Sequence, residues 1–556
     1  MSARVVVPAL LATTVAGAAA VTVFLLRRRN DNSKKLTLTV RGLLELEKAC
    51  ADADTRETVA GVELAGIALY GGVPPAVLSL RSLVRLDLGT TGIAQLPAGI
   101  SNLTNLQVLL APRNKLASLP DELAALAGSL VQLDVGSNAL QEVPDSLCSL
   151  TRLRTLNLMG NQLAALPERF GELRSLRLLG LKSNKLTHLP ASISQLTDLV
   201  ELFITDNRLT DLPPGMSSCT SLVKLQASFN AFTTLPACLL HLPRLELLRV
   251  AVCAIKTLPP QLLQDAAALP RLAWFSVAGN PVCPDPPAPA PGLPVVCRDE
   301  LELGQKLGDG ASGDVYRAVW RGQLVAVKFF RADVSPDGRT EDEVALAISL
   351  QHPHLTQVLA RVEQPHGLVL RLESGSPLAL KPTSQHLLRC KWGDDVRFPP
   401  RRALGLAAAV ADALRYCHAA GICHGDVYAH NVLMDENGTV TLCDFGASFS
   451  YDRGEQPFWE AMEVRAYGLM LKDVAERAAA PAPASAAGAG AEAAPAAAAS
   501  GSSNSKQSGG DATKSEAGVV ASLRALAERC AERPPARRPL FEAVCAELRQ
   551  LQAGLP

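Results

Sequence analysis

Apolar positions along this chain follow three different rhythms. From Val5 to Leu26 runs an uncharged stretch of 22 residues, which as a helix rising about 1.5 Å per residue reaches roughly 33 Å, the thickness of a bilayer core. Between about 62 and 282, leucines recur as LxxLxL, as in Leu153-Arg154-Thr155-Leu156-Asn157-Leu158. Each run is followed by an asparagine, a leucine or aromatic residue and a ΦP pair. The asparagines stand at 114, 138, 161, 184, 207 and 230, with spacings of 24, 23, 23, 23 and 23 residues. The matching prolines are Pro120, Pro144, Pro167, Pro190, Pro213 and Pro236. Thr91 and Cys253 fill the asparagine position in outer repeats, Asn280 closes the series, and Val62–Val77 reads as a degenerate first cap. From 299 to 552 the pattern is mixed, ending in helical periodicity over Val519–Cys530 and Leu540–Leu551.

A fixed period in the twenties with this leucine pattern is the signature of leucine-rich repeats, an α/β solenoid. Each repeat supplies a short strand whose alternate side chains point inward, so leucines of successive repeats stack into one continuous core. A buried leucine is worth about 1.5–3 kcal/mol, which one repeat alone cannot gather in sufficient number. The asparagine amide turns inward to satisfy backbone groups at the bend. The LPxxΦ form resembles the intracellular "typical" class of these repeats, without the paired flanking cysteines of extracellular arrays. Outward strand positions are expected to line the concave face: Asp87, Val108, Leu110, Asp134, Asn157, Leu178, Glu201, Phe203, Lys224, Arg249 and Trp274. That mixture, with Phe203 and Trp274 expected to be exposed, suits a protein partner better than a phosphate backbone.

Arg4 precedes the N-terminal apolar run, and Arg27, Arg28, Arg29, Lys34 and Lys35 follow it. This asymmetry predicts a single-pass anchor over 1–35 with the C-terminal side in the cytosol. The rival is a cleaved signal peptide with Val5–Val15 as apolar core and Ala16-Gly17-Ala18 as cleavage site. Against it, apolar residues resume at Val21–Leu26 ahead of the strongest basic cluster. Residues 36–61 read as a linker or cap to the repeat domain, 62–282. Pro281–Pro294 holds seven prolines in fourteen residues, a semi-rigid spacer of roughly 40 Å at about 3.1 Å per residue. No membrane-crossing run separates the repeats from the region beyond the linker at 283–298, so both are expected on one side of the membrane.

Gly308-Asp309-Gly310-Ala311-Ser312-Gly313-Asp314-Val315 matches GxGxxGxV, and Val325-Ala326-Val327-Lys328 places a lysine twenty positions after the first glycine. Glu343 follows on a helical pattern ahead of His352-Pro353. Then come His424-Gly425-Asp426, Asn431 five residues after that aspartate, and Asp444-Phe445-Gly446. In this order and spacing the motifs resemble those of the protein kinase superfamily over about 301–552, which implies a bilobal α+β fold binding ATP and magnesium. The resemblance implies that Leu307, Gly308, Gly310, Gly313, Val315, Ala326 and Lys328 hold the nucleotide, with the hinge near Leu372–Ser374. It implies that Glu343 pairs with Lys328, that Asp426 accepts the substrate hydroxyl proton, and that Asn431 and Asp444 hold the metal. Oxygen donors suit a hard cation, and phosphoryl transfer then rests on positioning and charge neutralisation.

The chain departs from the family in several places. Gly425 stands where the HRD arginine usually receives an activation-loop phosphate, and Tyr428 stands where Ser/Thr kinases usually carry lysine. Only nineteen positions separate Asp444 from Glu463, which opens the counterpart of the DxWxxG helix, with no APE motif between. Arg538 resembles the C-lobe arginine that pairs with the APE glutamate, and Glu460 offers a substitute partner. The alanine-, serine- and glycine-rich stretch 478–518 interrupts the lobe and reads as a disordered insertion.

Composition adds limits. Lysine plus arginine equals aspartate plus glutamate at 54 each, so no global field favours nucleic acid. Thirteen scattered cysteines without a CxxC pair argue for reduced thiols and against zinc. Hydrophobic residues reach 48% while aromatics are only 4%, an imbalance produced by repeat leucines, the apolar run and the alanine-rich insertion. Three functions remain: a protein kinase, by default Ser/Thr, whose repeats recruit a protein; a membrane-anchored nucleotide-binding scaffold; and a small-molecule phosphotransferase, since His-Gly-Asp also occurs in such enzymes.

Overall fold

The computed structural model describes residues 57–264, 268–287, 292–310, 312–383, 386–454, 456, 458–478, 515–533 and 535–555, together with the strand Leu36–Thr39. The predicted anchor and residues 479–514 of the expected insertion 478–518 lie outside the described residues, while its last residues, Glu516–Gly518, are helical rather than disordered. Among the described residues no helix is long and apolar enough to cross a membrane, and all twelve cysteines there are free. The chain divides into two compact units, Met1–Ala139 and Leu140–Pro556. The division falls within the repeat array rather than at the proline-rich segment.

The first unit holds strands β1 (Leu36–Thr39), β2 (Val59–Glu63), β3 (Arg85–Asp87), β4 (Val108–Leu110) and β5 (Gln132–Asp134), each pairing in parallel with the next. Strand pairing thus begins upstream of residue 62, within the segment read as a linker. Leu86, Leu109 and Leu133 lie in register and are fully buried. Asn114 closes the bend between turns: its Oδ1 accepts from Gly92 N at 2.7 Å and its Nδ2 donates to Leu88 O at 2.7 Å.

The second unit opens with six more repeat strands, β6 (Thr155–Asn157), β7 (Leu178–Gly180), β8 (Glu201–Phe203), β9 (Lys224–Gln226), β10 (Leu247–Arg249) and β11 (Trp274–Ser276). Leu156, Leu179, Leu202, Leu225, Leu248 and Phe275 stand in register along the parallel sheet, each at 0% exposure. Asn184 shows the asparagine's role. Its Oδ1 accepts from Leu163 N, and its Nδ2 donates to Leu158 O and Leu181 O, all at 3.0 Å. Three backbone groups in a dry interior are satisfied by one side chain.

A bilobal α+β region follows. The first lobe is a six-stranded sheet in the order β12 (Val295–Val296), β18 (Val358–Val362), β19 (Gly367–Arg371), β15 (Gln323–Phe330), β14 (Gly313–Trp320), β13 (Glu302–Asp309). A hairpin, β16 (Val334–Ser335) and β17 (Gly338–Arg339), leads into helix α1 (Thr340–Ser349). Pairing of β12 with β18 makes the end of the expected linker part of this sheet. The second lobe packs α2 (Pro400–Ala419), α3 (Phe458–Arg477), α4 (Glu516–Cys530) and α5 (Phe541–Ala553) around Leu404, Val410, Leu414, Val464, Leu471, Leu523 and Leu548. Short strands β20 (Ser376–Pro377), β22 (Val432–Met434) and β23 (Val440–Leu442) form one small sheet, and β21 (Ile422–Cys423) pairs with β24 (Phe449–Ser450).

The proline-rich segment does not hold repeats and lobes apart. Leu247 and Trp274 of the last two repeat strands, and Ala273 just ahead of β11, belong to the same buried cluster as the second lobe's core. Trp274 lies flat on Tyr428, ring centroids 4.5 Å apart and 1° from parallel, and its Nε1 donates to Val427 O at 3.0 Å. Phe275 meets Trp459 at 4.9 Å. The rim is polar, with Glu246 accepting from Arg389 Nη2 at 2.8 Å and Arg465 Nε donating to Arg271 O at 2.9 Å. The expectation of an open concave face is therefore corrected at three positions: Arg249 and Trp274 are only 3% and 2% exposed, and Glu201 is buried too. Strand alternation tells which way a side chain points; it carries no information about what comes to rest on it.

Trp274→Ala should cost about 3–5 kcal/mol, the usual range for truncating a buried aromatic. Thermal or denaturant unfolding of the full chain checks this, and a loss under about 1 kcal/mol would show that the shared core is not cohesive. A fragment starting at 296 leaves Tyr428 and Trp459 uncovered and should aggregate or melt without a cooperative transition.

Candidate active site

Strands β13 and β14 carry the glycine-rich turn. Gly310 N donates to Gly313 O at 2.8 Å, closing it. A Cβ on Gly313 would lie 2.1 Å from Phe329 O, so the strand pair requires glycine there, whereas no atom stands within 4 Å of a Cβ built on Gly308. That open backbone is the kind of cradle a phosphate group fits. Leu307 is 49% exposed at the lip, Val315 is half-buried, and Ala326 is buried on the neighbouring strand. Strand β19 ends at Arg371, and Leu372–Gly375 carries the chain into β20, so the expected hinge joins the sheets of the two lobes.

Lys328, on β15, is bound to Glu343 from α1 and lies 3.4 Å from Asp444 Oδ1. Burial works against its ammonium, but the carboxylates of Asp444 and Glu343 outweigh that and hold it above the usual lysine range. The same ammonium, against a smaller effect of burial, holds the Asp444 carboxyl at about 2. Asp444 is thus a full anion at neutral pH. It also sits in the left-handed region, φ +70°, a conformation that costs about 1–3 kcal/mol and is tolerated where the surroundings impose it.

Asp426 lies on the loop leaving β21. The amide nitrogen of Asn431 donates to Asp426 O at 2.9 Å and to its Oδ2 at 2.8 Å. This commits the nitrogen of Asn431 and leaves its Oδ1 as a donor atom for a cation. With the Asp444 carboxylate this is a hard-oxygen pair that fits magnesium, whose remaining positions phosphate and water normally fill. Among the described residues no group of three His, Cys, Asp or Glu side chains is placed to bind a metal.

The backbone around Asp426 is anchored from beneath. Glu463, buried on α3, accepts from His424 N at 3.1 Å and Gly425 N at 2.6 Å. Gly425 has φ +74°, and a Cβ there would stand 2.5 Å from Ala447 O. No side chain fits that position, which accounts for the missing arginine. From the repeats, Arg249 Nη1 donates to Gly425 O at 2.9 Å and Nη2 donates to Asp426 Oδ1. Its Nε lies 3.6 Å from Asp337 in the β16–β17 turn. Burial would lower the Arg249 pKa, but Asp426 and then Asp337 outweigh it, so the guanidinium stays charged.

Residues 301–467 match the protein kinase domain family, residues 140–266 a leucine-rich repeat region, and residues 104–163 the leucine rich repeat family. This chain carries a protein kinase domain behind leucine-rich repeats. The kinase domain is similar to serine/threonine-protein kinase CTR1 of Arabidopsis thaliana, at 33% identity over 178 residues, 30% of this chain and 21% of that protein. It is also similar to CBL-interacting protein kinase 4 of Oryza sativa subsp. japonica, at 38% over 157 residues, 26% of this chain and 33% of that one. The chain thus spans a third or less of these relatives' length. A leucine-rich-repeat protein of Leptospira interrogans resembles it over 44% of this chain and 77% of its own, at 25% identity and TM-score 0.33, a likeness too loose to bear on function.

Every residue predicted for the kinase site lies in the first lobe or on the loops facing it. The suggested pair of Arg538 and Glu460 does not form. Arg538 donates to Ala461 O at 2.9 Å and Pro270 O at 3.0 Å, while Glu460 Oε1 accepts from Phe541 N at 2.9 Å. Sequence reasoning missed Ser276 and Asp337, and placed Arg249 on the strand face without linking it to the kinase site. The one available signal was negative, the lack of a cation at positions 425 and 428 of the catalytic loop. Ser448 is buried, its hydroxyl donating to His424 O at 2.9 Å, and Ser450 is buried beside it.

Gly425→Arg, which restores the residue usual in the family, should destabilise the kinase domain by at least about 1–3 kcal/mol. Ser448→Asp should lower activity rather than raise it, because a charge there displaces a buried hydrogen bond. Thermal melts and transfer assays read both, and an activity rise in Ser448→Asp would contradict the packing described.

Proposed function

We propose that this chain is an ATP- and magnesium-dependent protein kinase acting on serine or threonine hydroxyls. The observation that carries this reading is that Lys328 is held between Glu343 and Asp444 while Asp426 is fixed by Asn431 and by a loop anchored on Glu463. Asp426 accepts the proton of the attacking hydroxyl as its oxygen bonds to the γ-phosphorus and the bridge to the β-phosphate breaks, releasing ADP. Lys328 orients the phosphates and the glycine-rich turn covers them, while Asn431 and Asp444 would hold a magnesium ion, which would neutralise developing charge. The serine/threonine preference is supported by relatives that carry that specificity in their names.

The repeats are read as recruiting a protein through outward positions that remain half-exposed. In the second unit these include Phe203 and Lys224, whose ammonium lies 5.0 Å from the Phe203 ring centre; in the first they include Asp87, Val108, Leu110 and Asp134. The apolar run Val5–Leu26 and its basic flank support a membrane anchor with repeats and kinase on the cytosolic side. A second reading, a nucleotide-binding scaffold without turnover, is favoured by one observation, the engagement of Asp426 by Arg249.

Transfer of radiolabelled γ-phosphate to generic protein substrates by the full chain tests the first reading against the second. Asp426→Asn and Lys328→Ala should each lower the rate about a hundredfold or more, as expected for loss of a general base or a phosphate-orienting charge. Nucleotide binding with no transfer above these variants would establish the scaffold instead.

A further inference from the structure

The catalytic loop of this kinase domain carries no cation of its own beside Asp426, since position 425 is a glycine and position 428 a tyrosine buried under Trp274. One cation nevertheless reaches Asp426, from 177 residues upstream. We infer that Arg249, contributed by the repeat array, is a positioning residue of the phosphotransfer centre, orienting Asp426 and tying the catalytic loop to the β16–β17 hairpin.

The contacts are specific to a guanidinium. Three nitrogens of Arg249 face three different residues: Nη1 the carbonyl of Gly425, Nη2 the carboxylate of Asp426, and Nε the carboxylate of Asp337. A planar fork satisfies such divergent acceptors, whereas an ammonium is a single point charge. Asp337 sits in the β16–β17 turn directly ahead of α1, which carries Glu343. One strand further on, Ser276 Oγ donates to Ala447 O at 2.9 Å, three residues past Asp444, and lies 3.4 Å from Asp337 O. Two adjacent repeat strands therefore grip the catalytic loop, the segment following Asp444 and the lead into Glu343's helix.

The contact does not consume the base. A carboxylate has about four acceptor sites, and Arg249 and Asn431 take one on each oxygen. The Asp426 side chain keeps 22% of its surface exposed, so a hydroxyl can still reach it. A releasable blocking contact is the opposing interpretation, and the packing speaks against it. Release would expose Trp274, Phe275, Tyr428 and Trp459, all buried in apolar contact. Interfaces that open readily are smaller and more polar.

The inference rests on the kinase reading, and one set of measurements separates the two. Phosphate transfer by the full chain is compared for wild type, Arg249→Ala, Arg249→Lys and Asp426→Asn, with kcat and the KM for ATP taken separately. Arg249→Ala should lose about ten- to a hundredfold in kcat, the scale of a displaced catalytic group, with the KM for ATP unchanged because Lys328 and Asp444 keep their partners. Added guanidinium ion should restore part of that rate, which it would not do for a variant that is merely unstable. Should Arg249→Ala fail to fold, Arg249→Lys carries the test and should show reduced kcat at constant KM. An unchanged or raised kcat in a folded Arg249 variant overturns the inference and leaves the kinase reading standing. Wild-type transfer no higher than that of Asp426→Asn overturns both.

Discussion

A guanidinium removed from water must be met by carboxylates or carbonyls, and those groups must in turn be held in place. Arg249 imposes this condition on the second unit. Meeting it requires Gly425 to present its carbonyl toward the repeats, which its positive φ achieves, and requires Asp337 to be brought in by the hairpin before α1. The stacked Trp274 and Tyr428 lie in the same buried region, where partners must replace water. Glycine at 425, the flat aromatic pair and the short segment after Asp444 are then parts of one arrangement.

The same arrangement bears on how such a domain is held competent. Where a kinase relies on phosphate in its activation segment, the negative charge is added late and can be removed. Here the residues at comparable places, Ser448 and Ser450, are buried, and the link between catalytic loop, hairpin and the segment after Asp444 is made by side chains of neighbouring repeats. On the proposed reading, contacts from Arg249 and Ser276 take the place of charge added at that segment.

Much of this was legible in the amino-acid sequence, for definable reasons. A 23-residue period fixes which leucines face inward, so Leu156, Leu179 and Leu202 could be placed in the core from the repeat pattern alone. The resemblance to protein kinases pointed to Lys328, Glu343, Asp426, Asn431 and Asp444, and the structure brings Lys328 to Glu343 and Asp444, and Asn431 to Asp426. Arg249 and Trp274 were assigned to the right strand face and given the wrong surroundings. Which surface docks on a strand face depends on shape and area brought together over long separations, and neither has a period. The proline count between 281 and 294 misled in the same way: it describes the stiffness of a connection, not the affinity of the parts it connects. Glu460 failed as a partner for Arg538 because backbone carbonyls, invisible to a search among side chains, satisfy that arginine.

Solenoids expose the inward residue of their last strand and ordinarily need an extra, polar-faced unit to shield it. In this chain that residue is Phe275, and Trp459 of the kinase domain lies against it. The enzyme lobe is thus the terminator of the array. On the proposed reading, whole repeats gained or lost upstream of β9 leave Arg249 and Ser276 in place beside the catalytic loop. A single repeat inserted between β10 and β11 would carry Arg249 one strand, about 4.8 Å, away from Asp426. Repeat number in this architecture is free in one direction and fixed by chemistry in the other.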